Sequence, residues 1–157
     1  ILIPNTTLEY FMFPDKVRLK LKLSCIYNVV PNDSTLNILI NNLVQNALQY
    51  CKQHVTIMVF ERPDTVCIDI SDDGPGIAPE HYATMLQPFT RGELHRQTIK
   101  GFGMGLAIAT RVTKWHHGTL TIGKSDPLGG AKFSLILPKK IVKNFQIFGL
   151  RATLTQF

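Results

Sequence analysis

The sequence predicts a single α/β domain of about five strands and three helices. Apolar runs near residues 17–30, 54–60, 65–70, 119–123 and 131–137 have the alternation or the β-branched composition of strands. Three segments between these runs have helical spacing or helix-start signals instead. The chain has 157 residues and 45% hydrophobic content, which suffices for one domain with a sizeable core.

Composition narrows the classes of function. Lys and Arg outnumber Asp and Glu by 17 to 11, which fits an anionic ligand or an acidic partner. The basic residues form no stripe interleaved with aromatics, so we expect no nucleic-acid binding. Cys25, Cys51 and Cys67 lack CxxC spacing and are expected to be reduced core residues. No apolar window reaches 18 residues, so we expect no membrane contact, and the start at Ile1 suggests a fragment of a longer protein.

The first half of the chain leads into a helix. We expect residues 1–16 to be a linker remnant or an irregular segment, because they contain two prolines and show no lasting period. Val17 to Val30 predicts a half-buried strand with a basic outer face. Asp33 or Ser34 then caps a predicted helix over residues 34–51.

That helix carries three carboxamides beside its apolar stripe. Asn42, Asn46 and Gln49 are spaced i, i+4 and i+7, which places them along one edge of the stripe. Asn is unfavourable in the middle of a helix because its side chain competes for backbone hydrogen bonds. Two interpretations stay open from this pattern alone, namely an exposed polar face without a role and a ligand-binding edge.

The run DDGPG follows the third predicted strand, and its first residue is Asp72. A carboxylate at the end of a strand can accept a hydrogen bond from an exocyclic amine such as that of adenine. Gly74 and Gly76 permit positive φ and let a flat ligand approach the backbone. An ordinary Asx or glycine turn is the alternative interpretation.

A glycine-rich segment begins the last predicted helix. After a short helix over residues 79–86 and a polar loop over residues 93–100, Gly101, Gly103 and Gly105 alternate at the start of a helix that runs to about His117. Backbone amides at such an N-terminus form an anion site, and a phosphate chain is its natural occupant. The basic segment 139–157 is either a packed tail or a partner contact.

The four segments, in this order, resemble the ATP-binding catalytic domain of bacterial sensor histidine kinases of the osmosensor-like branch. The resemblance covers residues 17–138 and rests on NLVQNALQY, DDGPGI, PFTR and GFGMGLAI. It implies the Bergerat fold shared with DNA gyrase, a two-layer α/β sandwich with a mixed sheet, about three helices on one face and a flexible ATP lid. The bound ligands implied are ATP and Mg²⁺.

The resemblance also implies roles for individual residues. Asn46 would ligate Mg²⁺ through its carboxamide oxygen, and Asn42 would orient phosphate or metal-bound water. Asp72 would accept from the adenine amine, with Gly74 and Gly76 giving the base room. The remaining implied nucleotide contacts are Tyr50, Ile77, Gly101, Gly103, Met104, Gly105 and Leu106.

Two positions concern phosphoryl transfer. Arg91 would help to position the lid or the acceptor. Gln49 departs from the family pattern, because many relatives have Lys or Arg there, and we expect Arg96 or Lys100 to supply the missing cation. For Tyr50, a core aromatic is an equally open interpretation.

By resemblance, the function expected is transfer of the γ-phosphoryl group of ATP to a histidine. None of the five histidines lies in the family's acceptor motif, so the acceptor is expected on a separate dimerisation domain of the same kinase. The resemblance also implies that a response regulator receives the group afterwards, in the cytoplasm beneath an inner-membrane anchor. The alternatives are a nucleotide-binding regulatory module and an anti-sigma-type serine kinase. A gyrase-like ATPase is disfavoured because Asn42 cannot act as a general base.

Overall fold

The computed structural model describes residues 6–12, 17–23, 34–87 and 105–140. The strands are β1 (Thr6–Met12), β2 (Val17–Leu23), β3 (His54–Glu61), β4 (Thr65–Asp72), β5 (Thr119–Lys124) and β6 (Ala131–Pro138). The helices are α1 (Ser34–Tyr50), α2 (Tyr82–Met85) and α3 (Gly105–Trp115), and a 3-10 turn at Pro79–His81 precedes α2. The predicted alternation of strand and helix segments is therefore present.

The strands form one mixed sheet in the order β1-β2-β3-β4-β6-β5. β2 and β3 are parallel, and every other neighbouring pair is antiparallel. The parallel pair requires a crossover, which α1 provides between β2 and β3. The predicted α/β fold with a mixed sheet is confirmed, with six strands in place of about five.

The additional strand corrects one prediction. Residues 1–16 were expected to be a linker remnant or an irregular segment, but Thr6–Met12 forms a strand paired antiparallel with Val17–Leu23. The segment TTLEYFM lies between two prolines and is rich in Thr and aromatic residues, which favour a pleated strand. The second strand was predicted from Val17 to Val30; the structure describes it over Val17–Leu23, and residues 24–33 lie outside the described residues.

The helices cover one face of the sheet. In β3, Val55, Ile57 and Val59 are buried whereas Met58 between them is exposed, as expected for a strand with one covered face. The predicted stripe of α1 is buried as well, at Leu36, Leu39, Ile40, Leu43 and Ala47. Each fully buried leucine contributes roughly 1.5–3 kcal/mol to stability. This burial fixes which edge of α1 remains available to a ligand.

Helix α3 lies antiparallel beside α1. Near the start of α1, the hydroxyl of Thr35 is 2.8 Å from Nε2 of His116, which follows the end of α3. Near the middle of α1, Asn42 lies next to Gly105, the first residue of α3. These two contacts place the N-terminus of α3 against the carboxamide edge of α1. None of the helices in the described ranges is long and apolar enough to cross a membrane.

Candidate functional site

The carboxylate of Asp72 is fixed by backbone donors on one oxygen. Asp72 is the last residue of β4 and is 1% exposed. Its Oδ1 accepts hydrogen bonds from the N–H of Gly74 at 2.8 Å and from the N–H of Ala131 at 3.2 Å. Oδ2 takes part in neither bond and makes no other within the part of the chain that the structure describes. The second oxygen is therefore available as an acceptor for a ligand.

Burial alters the acidity of this group. Loss of solvent on burial raises the pKa of Asp72, the hydrogen bonds from Gly74 and Ala131 oppose this, and the charge of Asp73 adds to the rise. The net pKa is raised. No cation pairs with Asp72 in the described ranges, so the carboxylate is buried at a cost to stability. Such a cost is typical of a group that serves binding or catalysis.

Two glycines bring the backbone close to Asp72. A Cβ atom on Gly74 would collide with the carbonyl oxygen of Tyr50, and one on Gly130 would collide with Asp72 and with the N–H of Gly74. The turn that follows Asp72 needs a third glycine, because Gly76 has φ +75°. The end of β4, the turn after it and the residue before β6 therefore pack closely, without side chains between their backbones.

Gly130 and Ala131 were not among the predicted site residues. Both act on Asp72 through the backbone, Gly130 by close packing and Ala131 by its N–H. The signal in the sequence is the pair Gly129-Gly130 directly before a strand, which indicates close backbone approach but does not say to which element.

Asn42, on the carboxamide edge of α1, faces the start of α3. Asn42 donates from Nδ2 to the carbonyl of Ile38 at 2.9 Å, and its Oδ1 lies 3.3 Å from where a Cβ of Gly105 would stand. Asn46, one turn further along, is half-buried, and its carboxamide forms no hydrogen bond within the described ranges. Gln49 is exposed. A residue larger than glycine at position 105 would push against Asn42.

Helix α1 connects the two halves of the candidate site. Asn42 is beside Gly105, whereas the carbonyl of Tyr50 is beside Gly74 in the turn after Asp72. The distance along the helix between these two contacts is about 12 Å, just over two turns. Asn46 lies midway between them. The structure therefore aligns the Asp72 turn, the amide edge and the start of α3 along one helix.

The other predicted residues are distributed as follows. Ile77 is partly buried and packs against the core, and Leu106 is a core residue that is 7% exposed. Tyr50 is half-buried. The predicted residues that lie outside the described residues are Arg91, Arg96, Lys100, Gly101, Gly103 and Met104.

The donor set fits a nucleotide and its magnesium ion better than a protein-held metal cluster. Across residues 34–87 and 105–140, no group of three His, Cys, Asp or Glu side chains could hold a metal ion. Magnesium takes hard oxygen ligands, retains waters and is often held by one or two protein groups together with substrate phosphates. The carboxamide of Asn46, which has no hydrogen-bond partner among the described residues, suits that arrangement. The glycine-lined turn at Asp72 suits a flat base.

Comparison with known proteins gives a family match. The family model described as histidine kinase-, DNA gyrase B-, and HSP90-like ATPase matches residues 32–141. The sensor protein RstB of Escherichia coli K12 is 37% identical over 100 residues, which are 63% of this chain and 23% of RstB. The sensor histidine kinase CpxA of the same organism is 32% identical over 108 residues, 68% of this chain and 23% of CpxA. The chain thus spans less than a quarter of these curated relatives.

Solved structures share the fold. The mycobacterial sensor histidine kinase MprB superposes with a TM-score of 0.62 at 25% identity, over 75% of this chain and 81% of that one. The ATP-binding domain of PrrB from Mycobacterium tuberculosis gives a TM-score of 0.56 at 25% identity, over 75% and 78%.

Gly130→Ala tests the packing around Asp72. The added methyl group meets backbone atoms of Asp72 and Gly74, which cannot move aside, so we expect the free energy of unfolding to fall by about 2 kcal/mol or more. Urea denaturation measures it. Gly123→Ala is the control, because a Cβ there meets nothing within 4 Å. Equal losses in the two variants would contradict the packing described.

Asp72→Asn tests the cost of the buried charge. The folded chain holds the Asp72 proton more tightly than the unfolded chain, so ionisation lowers stability above the raised pKa and costs nothing well below the ordinary value of 3.8. The variant keeps an oxygen for Gly74 and Ala131. We expect it to be more stable than the natural chain at pH 7, with the difference shrinking as the pH falls towards 3.8.

Urea denaturation at a series of pH values measures this difference, with the exposed Asp64→Asn as the control. A stabilisation by Asp72→Asn that grows on acidification would contradict the assignment.

Proposed function

Because the chain belongs to the family of histidine kinase-, DNA gyrase B- and HSP90-like ATPases, we propose that it is the ATP-binding catalytic domain of a sensor histidine kinase. In this proposal it binds ATP with Mg²⁺ and delivers the γ-phosphoryl group to a histidine on a separate dimerisation domain of the same kinase. A response-regulator aspartate receives the group afterwards. The match to RstB and CpxA, which are both named sensor proteins, supports this function over that of the other family branches.

The observation that carries the proposal is that only one oxygen of the Asp72 carboxylate is hydrogen-bonded within the described residues. Its Oδ1 is held by two backbone N–H groups beside Gly74 and Gly130, and its Oδ2 is an acceptor without a donor among the described residues. The exocyclic amine of adenine is a donor of the right kind, whereas guanine offers a carbonyl at the corresponding position. We infer that Asp72 selects adenine, with Gly74 and Gly76 lining the base.

The phosphate side lies along α1 and the start of α3. Asn46 would hold Mg²⁺ through its carboxamide oxygen, and the ion would supply charge neutralisation at the phosphates. Asn42, packed against Gly105, would keep the start of α3 in place beside them. The N-terminal amides of α3 favour negative charge. The chain's own contribution is positioning and electrostatic stabilisation.

We infer transfer to a side chain, and not hydrolysis, from the residue one turn before Asn46, which is Asn42. Activation of water needs a general base, and the carboxamide of Asn42 cannot accept a proton at neutral pH. Its Nδ2 is moreover committed to the carbonyl of Ile38. We assign the nucleophile to the acceptor histidine of the dimerisation domain.

Three cationic residues complete the proposal. Arg91 would help to position the lid or the acceptor, and Arg96 or Lys100 would supply the cation that the neutral, exposed Gln49 does not. We place this domain on the cytoplasmic side of a membrane-anchored kinase, as part of a longer protein.

Asn46→Ala tests the metal assignment. Loss of a direct ligand should weaken ATP binding in the presence of Mg²⁺ by at least the roughly tenfold effect typical of outer-shell partners. Binding in the presence of EDTA should change by less than about twofold, because no metal is then held. Isothermal titration measures both affinities. Gln45→Ala, on the exposed face of the same helix, is the control. An equal loss with and without Mg²⁺ would exclude Asn46 as the ligand.

Phosphoryl transfer is tested by incubating this chain with its cognate dimerisation domain and γ-labelled ATP. We expect label on the dimerisation domain that is lost in acid, because phosphohistidine is acid-labile whereas phosphoserine is stable. A variant of the acceptor histidine is the control. Tight ATP binding without label would support the regulatory module, which the neutral Gln49 makes the second candidate. Acid-stable label would indicate a serine kinase.

A further inference from the structure

The carboxylate of Asp73 joins two parts of the chain that meet at the candidate site. Its Oδ1 accepts from the N–H of Lys52 at 2.8 Å and from the N–H of Gln53 at 3.1 Å, and its Oδ2 is 3.2 Å from the same Gln53 nitrogen. Nδ1 of His54 lies 3.0 Å from Oδ2. The backbone N–H of Asp73 donates to the carbonyl of His54 at 3.2 Å. One side chain thus engages three consecutive residues.

Of those three residues, Lys52 and Gln53 lie in the junction between α1 and β3, and His54 is the first residue of β3. Helix α1 ends at Tyr50 and β3 begins at His54, so the position of this junction contributes, with the buried stripe of α1, to where the C-terminal end of the helix lies. Asp73 itself directly follows Asp72. The bonds of Asp73 therefore connect the helix that carries Asn46 to the turn that carries the base-recognising carboxylate.

The charge on Asp73 makes this connection strong. Although burial raises its pKa, the backbone hydrogen bonds from His54, Gln53 and Lys52 and the His54 side chain together lower it. Its side chain is 16% exposed. Hydrogen bonds to an ionised acceptor are roughly twice as strong as neutral ones.

The orientation of Asp72 does not depend on these bonds. Asp72 is held by Gly74 and Ala131, whereas Asp73 is held by Lys52, Gln53 and His54. Removal of the Asp73 carboxylate would therefore loosen the segment that follows α1 while leaving the hydrogen bonds of Asp72 in place. A role of Asp73 in the spacing between α1 and the Asp72 turn can therefore be distinguished from a role in recognising the base.

We propose that Asp73 is a positioning residue that sets the spacing between the base subsite at Asp72 and the metal and phosphate subsite at Asn46. This inference rests on the proposed function, because it assumes one ligand that occupies both subsites. A ligand that spans both requires the spacing to be right, and a ligand that occupies only the base subsite does not.

The test compares two ligands on one variant. In Asp73→Ala, we expect the affinity for ATP with Mg²⁺ to fall about tenfold and the affinity for adenosine to stay within about twofold, both measured by titration followed by NMR. Asp73→Asn keeps a carbonyl oxygen for the N–H groups of Lys52 and Gln53, so we expect it to stay within about threefold of the natural chain for both ligands. Asp64→Ala, in an exposed turn, removes the same charge and should change neither.

The outcomes separate the positioning role of Asp73 from the proposed function. Equal loss of both ligands in Asp73→Ala, or loss of neither, overturns the positioning role while ATP binding by the natural chain leaves the proposed function standing. Failure of the natural chain to bind ATP with Mg²⁺ overturns both. If Asp73→Ala does not fold by circular dichroism, Asp73→Ser takes its place, because a single hydroxyl cannot engage all three junction residues. The loss of affinity for ATP with Mg²⁺, compared with that for adenosine, then decides whether Asp73 is a positioning residue.

Discussion

The hydrogen bonds to Oδ1 of Asp72 are the constraint on which the candidate site depends. A buried carboxylate without a cation lowers stability, so its position must be fixed by other groups. Two backbone N–H groups fix it, one from the turn that follows β4 and one from β6. Close approach of these three backbones is possible because Gly74 and Gly130 carry no side chain. The result is one oxygen used for structure and one without a donor among the described residues, which in our proposal selects a ligand that offers a donor.

The fold sets where the carboxamides of α1 and the start of α3 lie relative to that oxygen. The sheet order puts β4 beside β6, which brings Ala131 to Asp72, and the crossover between β2 and β3 puts α1 over the same face. Along α1, the contact of Tyr50 with Gly74 and the contact of Asn42 with Gly105 lie about 12 Å apart. A purine at one end and a phosphate chain at the other would bridge these contacts. Burial of the apolar stripe of α1 therefore orients Asn42 and Asn46 as well as stabilising the domain.

Much of this could be predicted from local patterns in the sequence. The stripe from Leu36 to Ala47 predicted α1, and the run before Asp72 predicted the strand that positions it. Strand β1 was missed because its pattern is short and its pairing with β2 is a tertiary property. Gly130 and Asp73 were missed for a related reason, since each acts on residues that the sheet or the α1–β3 junction brings close to it. Spacing along the chain identifies residue types, whereas these contacts depend on which strands are neighbours.

The most direct test is a crystal structure of this chain with a non-hydrolysable ATP analogue and Mg²⁺. We predict that the exocyclic amine of the base lies within hydrogen-bonding distance of Oδ2 of Asp72, while Oδ1 keeps its bonds to Gly74 and Ala131. We predict that the metal ion lies on the carboxamide oxygen of Asn46. A base bound elsewhere, or a metal ion held without Asn46, would contradict the account.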